Sequence, residues 1–115
     1  VVVPAPAGLD PAITAGGATV ALRHPDHPVA AAVVRALGHP VTGTSANRSG
    51  TAPTRHAGAI ELQPGFPLDG IVDAGPTPGG PASTLLDITR TPARVIREGA
   101  VAGETIAGII DVRLL

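Results

Sequence analysis

Residues 19–50 read TVALRHPDHPVAAAVVRALGHPVTGTSANRSG, a run that passes from strand to helix to strand and ends in a polar loop. Thr19-Val20-Ala21-Leu22-Arg23 predicts a short buried strand, closed by Pro25-Asp26-His27-Pro28. Asp26 or His27 is placed to cap a helix, with Pro28 in its first turn. Val29, Val33, Val34 and Leu37 then fall on one helical face; Gly38 suits the C-terminal cap, and Pro40 forbids continuation. Pro40-Val41-Thr42-Gly43-Thr44 predicts a second strand that runs into Ser45-Ala46-Asn47-Arg48-Ser49-Gly50.

Upstream, Val1-Val2-Val3 is an apolar strand-like run, read as a strand cut from its neighbours and so an exposed edge prone to aggregation. It leads into a loop-rich segment with one helical turn near Pro11–Thr14. Downstream, Pro53-Thr54 opens a predicted helix to about Leu62, and Gln63 to Gly70 reads as turn. Gly70-Ile71-Val72-Asp73 predicts a strand. Ser83–Ile88 and Arg94–Arg97 predict an antiparallel pair turning at Arg90-Thr91-Pro92. Gly103 starts a last helix carrying Ile106, Ile109 and Ile110. The expected class is α/β: a twisted mixed β-sheet with flanking helices, in one domain over residues 1–115.

Composition narrows the chemistry. The 115 residues carry eight basic and nine acidic side chains, a net charge of −1 that argues against a strongly basic nucleic-acid clamp. All eight basic residues are Arg. There is no Cys, which excludes disulfides, thiolate metal sites and Cys nucleophiles. Phe66 is the one aromatic residue, so base-stacking platforms are excluded too. The core must therefore be aliphatic. No apolar run reaches the ~20 residues of a membrane span, and a cytoplasmic protein without membrane partners is expected. His24, His27, His39 and His56 lack metal-ligand spacing, and no Ser/His/Asp order or phosphate-binding glycine motif is present.

The residue types suited to ligand contact lie in four places. Ser45, Asn47 and Ser49 follow a predicted strand, where open α/β sheets bind ligands, although the same residues also make ordinary surface turns. Thr19 and Arg23 are four apart on a strand and share a face; Arg23 suits a carboxylate or phosphate, or equally a solvated strand end. Ser83-Thr84 follows a Gly-rich loop and offers hydroxyls and amides to an anion, or begins a strand. Strict alternation puts Arg94 and Arg97 on opposite faces.

Taken together and in order, these motifs resemble the YrdC-like domain of L-threonylcarbamoyladenylate synthases. Thr44–Gly50 resembles the family's S-A-N-x-S-G loop, and Pro53-Thr54 its proline-threonine segment. Residues 19–28 resemble T-V-x-x-R-x-P-x-H-P. Asp73-Ala74-Gly75, Pro81–Asp87 and Arg94–Ala100 resemble D-x-G, P-S-T-V-V-D and R-I-L-R-x-G-A. The resemblance covers nearly the whole chain and implies the C-terminal portion of that domain, N-terminally truncated, with an open cleft. The family's basic K-x-R element is missing, in keeping with the absence of Lys.

The resemblance implies formation of threonylcarbamoyl-AMP and pyrophosphate from L-threonine, bicarbonate and ATP, for tRNA threonylcarbamoyladenosine modification. ATP enters as a substrate, with Mg²⁺ carried on its phosphates, and tRNA or its modification machinery is the implied partner. Arg23, Ser45 and Ser83 are implied in threonine binding. Thr19, Gly43, Asn47, Thr54 and Arg97 are implied in nucleotide binding. No protein nucleophile is assigned, so catalysis rests on positioning and charge stabilisation. Two other readings of the same fold remain: a nucleotide- or RNA-binding relative without synthase activity, and a carbamoyl-adenylate-forming module of a carbamoyltransferase.

Overall fold

Strand pairing starts with the valines at the beginning of the chain. In the computed structural model, which describes residues 1–47, 50–61 and 68–114, β1 (Val2–Pro4) pairs antiparallel with β2 (Thr19–Ala21). Between them, α1 (Pro11–Thr14) begins with Pro11 at its first position, and the Asp10 carboxylate accepts from Ala12 N at 2.8 Å. The remaining elements are α2 (Pro28–Leu37), α3 (Ala57–Glu61), β3 (Leu85–Asp87), β4 (Ala93–Arg97), α4 (Gly103–Ala107) and β5 (Val112–Arg113). The five strands form one open mixed sheet in the order β2-β1-β3-β4-β5. β1 is parallel to β3, β3 antiparallel to β4, and β4 parallel to β5 across α4.

The chain divides into two units. Val1–Pro25 and Gly80–Leu115 form the first, which holds the whole sheet; Asp26–Gly79 forms the second, with α2 and α3. The core of the first unit is Leu86, Ala93 and Val95, with Ile106 and Val112 packed against it, aliphatic throughout as the composition requires. Val95, only 2% exposed, is its centre. The turn joining β3 to β4 is built by Asp87. Its Oδ1 accepts from Thr89 N at 2.9 Å and from Thr89 Oγ1 at 2.6 Å, and its Oδ2 takes Arg90 Nε at 2.9 Å. These bonds hold the carboxyl of Asp87 below the usual carboxylate range, the Thr89 hydroxyl contributing most.

In the second unit α2 starts at Pro28, after a His27 ring that accepts from Ala30 N at 3.5 Å, and ends at Gly38. Val33 and Val34 on its apolar face are half-buried, while Val29 and Leu37 are exposed. No described residue of this unit is buried.

Five expectations are corrected. Residues 40–44 and 70–73 belong to no strand of the sheet. β-branched residues such as Val41, Thr42, Ile71 and Val72 favour strands, yet a strand also needs a hydrogen-bonding neighbour, and these segments lie in the unit without the sheet. β1 is no edge, because β2 and β3 flank it. β2 is the edge instead, and Thr19 and Ala21, two apart on one face, are exposed where a buried strand was expected. The helix expected from Pro53 begins at Ala57, and its expected end at Leu62 lies outside the described residues, as does most of the turn from Gln63.

Candidate functional site

The strand directions gather three of the implied residues at one end of the sheet. β2 and β4 finish where β1 and β3 begin. Arg23 follows β2, Ser83 precedes β3, and Arg97 closes β4, all exposed. Thr19 opens β2, opposite Pro4, and so marks the other end of that short strand.

Arg97 and Ser83 are in direct contact. The guanidinium of Arg97 donates to the Ser83 carbonyl from Nη2 at 2.8 Å and from Nε at 3.3 Å. Two of five N–H donors are spent on holding the side chain, which leaves the others to meet an anion. Thr84, next in the chain, is a clasp. Its hydroxyl donates to the Val101 carbonyl and accepts from Gly99 N at 3.0 Å and Val101 N at 3.1 Å. Ala100 N donates to the Ala82 carbonyl at 2.9 Å. Gly99 fits this crossing because it has no side chain: a Cβ there would lie 2.7 Å from Ser83 C and Thr84 N. The Glu98 carboxylate continues the order by accepting from Gly103 N at 3.0 Å, in the first turn of α4.

The other four implied residues belong to the second unit. Gly43 and Ser45 lie exposed in the segment after α2. Asn47 is half-buried, and its Nδ2 donates to the Thr51 carbonyl at 2.8 Å, closing the loop on itself. Arg48 and Ser49 lie outside the described residues. Thr54, half-buried, exchanges hydrogen bonds with the backbone of His56, donating at 3.2 Å and accepting at 3.3 Å.

Arg55 is a framework residue to which sequence reasoning gave no role, and Thr84, expected to offer its hydroxyl to an anion or to begin a strand, spends that hydroxyl on the backbone of Gly99 and Val101. Arg55 Nε donates to the Thr77 carbonyl at 2.7 Å, and Thr77 N returns a bond to the Arg55 carbonyl at 3.0 Å. This ties the segment after Thr54 to the loop that follows Asp73. Asp73 Oδ1 accepts from Gly75 N at 2.8 Å, and Gly75 takes φ 84°, a left-handed turn that suits glycine. The D-x-G spacing carried the signal for that turn; nothing in the sequence marked Arg55.

Arg94 and Arg97 also depart from strict alternation. Leu85 pairs with Arg97, Leu86 with Val95, and Asp87 with Arg94, so the register steps by one residue at Leu85/Leu86. Cross-strand partners share a face, and Leu85 and Asp87 are two apart. The extra residue, Ile96, therefore brings Arg94 and Arg97 to the same side of the hairpin.

Known proteins are similar to this chain in sequence. The family model Sua5/YciO/YrdC, described as telomere recombination, matches residues 1–99. The chain belongs to this family. A threonylcarbamoyl-AMP synthase of Bacillus subtilis (strain 168) is 39% identical over 105 residues, covering 91% of this chain and 30% of that protein. A putative threonylcarbamoyl-AMP synthase of Mycobacterium tuberculosis (strain ATCC 25618 / H37Rv) is 40% identical over 94 residues, 82% of this chain and 43% of that protein. One from Idiomarina loihiensis is 34% identical over 99 residues, 86% of this chain and 52% of its own length. The chain thus spans about a third to a half of the curated relatives it matches. No solved structure matches it significantly. Among the described residues, no helix is long and apolar enough to cross a membrane.

Proposed function

We propose that this chain supplies part of the active site of an L-threonylcarbamoyladenylate synthase. That enzyme is a nucleotidyltransferase, which joins L-threonine, bicarbonate and ATP into threonylcarbamoyl-AMP and releases pyrophosphate. The observation that carries the reading is the 39% identity to the Bacillus subtilis synthase across 91% of this chain. The matched span takes in every motif from Thr19 to Arg97. The names of the relatives favour a synthase over a carbamoyl-phosphate user or a binding protein without activity.

In this reading Arg23 holds the threonine carboxylate, and the Ser45 and Ser83 hydroxyls meet its polar groups. Thr19, Gly43, Asn47, Thr54 and Arg97 serve the nucleotide. Arg97 suits a phosphate because Ser83 already fixes its guanidinium, so little side-chain freedom remains to be lost on binding. Catalysis is positioning and charge stabilisation without a protein nucleophile. Mg²⁺ arrives with the ATP phosphates as part of the substrate. The product serves tRNA threonylcarbamoyladenosine formation in the cytoplasm, with the tRNA-modification machinery as recipient.

The test is pyrophosphate release from ATP by the full-length protein, with and without L-threonine and bicarbonate. Release that needs both co-substrates is expected. Arg97→Ala should raise the KM for ATP at least about tenfold, the worth of one charge-assisted hydrogen bond, and Ser45→Ala should raise the KM for threonine. Release independent of threonine, or folded variants with unchanged kinetics, refutes the assignment.

A further inference from the structure

The end of the sheet opposite Arg97 holds a cavity of about 550 Å³ lined by Arg90, Thr91, Pro92, Arg94, Arg113 and Leu114, all within the first unit. Three of these six residues are arginines. Arg94 and Arg113 are register partners on neighbouring parallel strands. Like charges directly opposite in a sheet repel, an arrangement a fold keeps at a cost unless something lies between them. Protein acids do not meet that demand. Among the described residues the one ion pair is Arg90 with Asp87, at 2.9 Å. Asp87 stands opposite Arg94, but its oxygens are taken by Thr89 and Arg90. Asp111, two residues before Arg113, forms no ion pair either. The cavity is thus lined by three arginines and, among the described residues, by no acid.

We propose that this cavity is an anion site separate from the threonylcarbamoyl-AMP site, in which Arg94 and Arg113 hold a phosphoryl dianion between them and Arg90 closes the rim. A dianion matches the two uncompensated charges, and the planar forks of paired arginines match phosphate oxygens. The Thr91 hydroxyl supplies a further donor at the wall, and Pro92 and Leu114 give the cavity an apolar side. Arg97 takes no part: it lies at the other end of β4, about 10 Å along the strand.

The test titrates inorganic phosphate into the full-length protein, ¹⁵N-labelled at arginine, with acetate at equal ionic strength as the monoanion control. Phosphate should shift the Nε–Hε signals of Arg94 and Arg113 saturably, and acetate should not. Arg94→Gln and Arg113→Gln should each weaken phosphate binding about tenfold or more. Each should also melt no lower than the parent in phosphate-free buffer, since each removes a repulsion. Arg94→Lys keeps the charge without the fork and should fall between. Equal shifts with acetate and phosphate, a response confined to Arg97, or unaltered phosphate binding in both Gln variants overturns the proposal.

Discussion

Replacing Gly99 by Ala tests the crossing that aligns Ser83 with Arg97. The new Cβ would stand 2.7 Å from Ser83 C and Thr84 N, with the Ala82 carbonyl oxygen closer still. Ordinary contact begins at about 3.4 Å, so backbone atoms of residues 82–84 must retreat by about 0.7 Å or more. Backbone cannot swing aside as a flexible side chain can. Overpacking of this kind costs about 1–3 kcal/mol, while Ala in place of Gly returns about 0.4–1 kcal/mol by restricting the unfolded chain. The expected net loss is about 1–2 kcal/mol in urea denaturation. The displaced segment includes the Ser83 carbonyl that anchors Arg97. A misplacement near 1 Å can cost about a hundredfold in rate, so kcat/KM for pyrophosphate release should fall roughly 10–100-fold. Gly58→Ala is the control. Gly58 lies within α3 with nothing near its missing Cβ, and Ala there should be neutral or stabilising by up to about 1 kcal/mol. A Gly99→Ala protein as stable and as active as its parent would refute the argument.

Thr84→Val keeps the shape of the side chain and removes its hydroxyl. Gly99 N and Val101 N lose their acceptor and the Val101 carbonyl its donor, so urea denaturation should show a loss of about 1.5–4 kcal/mol, three hydrogen bonds' worth. Asp87→Asn should alter the acid limb of the stability curve. The folded-state pKa of Asp87 lies below its ordinary 3.8, chiefly through the Thr89 hydroxyl, so its contribution is full above pH 3.8 and is lost as pH falls through the lowered value. The parent's advantage over the variant should therefore be constant near neutrality and shrink below about pH 4; an advantage unchanged down to pH 2 would contradict the assigned bonds.

The sequence announced those elements whose signals are local. Helix α2 was located by its apolar face together with Pro28 and Gly38, and α1 as a turn beginning at Pro11. The β3–β4 pair was legible for the same reason: two apolar runs flank a turn whose D-x-T-R residues satisfy one another. Pairing is not local, and the misreadings fell there. Segments 40–44 and 70–73 look like strands in composition but find no neighbour, whereas β5, at two residues, is too short to show a period and exists because Val112 and Arg113 meet Ala93 and Arg94. The order of motifs pointed to the family, and the side chains quoted for the site were visible in it. What aligns those side chains was not, because Thr84 and Gly99 act through backbone atoms fifteen residues away in the chain.

The register step at Ile96 has a consequence for how one short strand carries two cationic ends. Without it, Arg94 and Arg97 would face opposite sides of the sheet, and one of the two would point with Val95 toward the aliphatic core. An arginine there would be a buried charge, and among the described residues the one buried carboxylate, Asp87, is already engaged. The extra residue keeps Val95 inside at 2% exposure and turns both guanidinium groups outward. The bulge therefore does more than bend β4. It lets the strand bury its apolar residues while offering one arginine to the Ser83 end and another to the Arg113 end. Deleting Ile96 tests this account: Arg94 and Arg97 would then stand two apart and still share a face, with all three register pairs kept, so the Arg97–Ser83 contact should survive, and its loss would show that the bulge positions Arg97 in some other way.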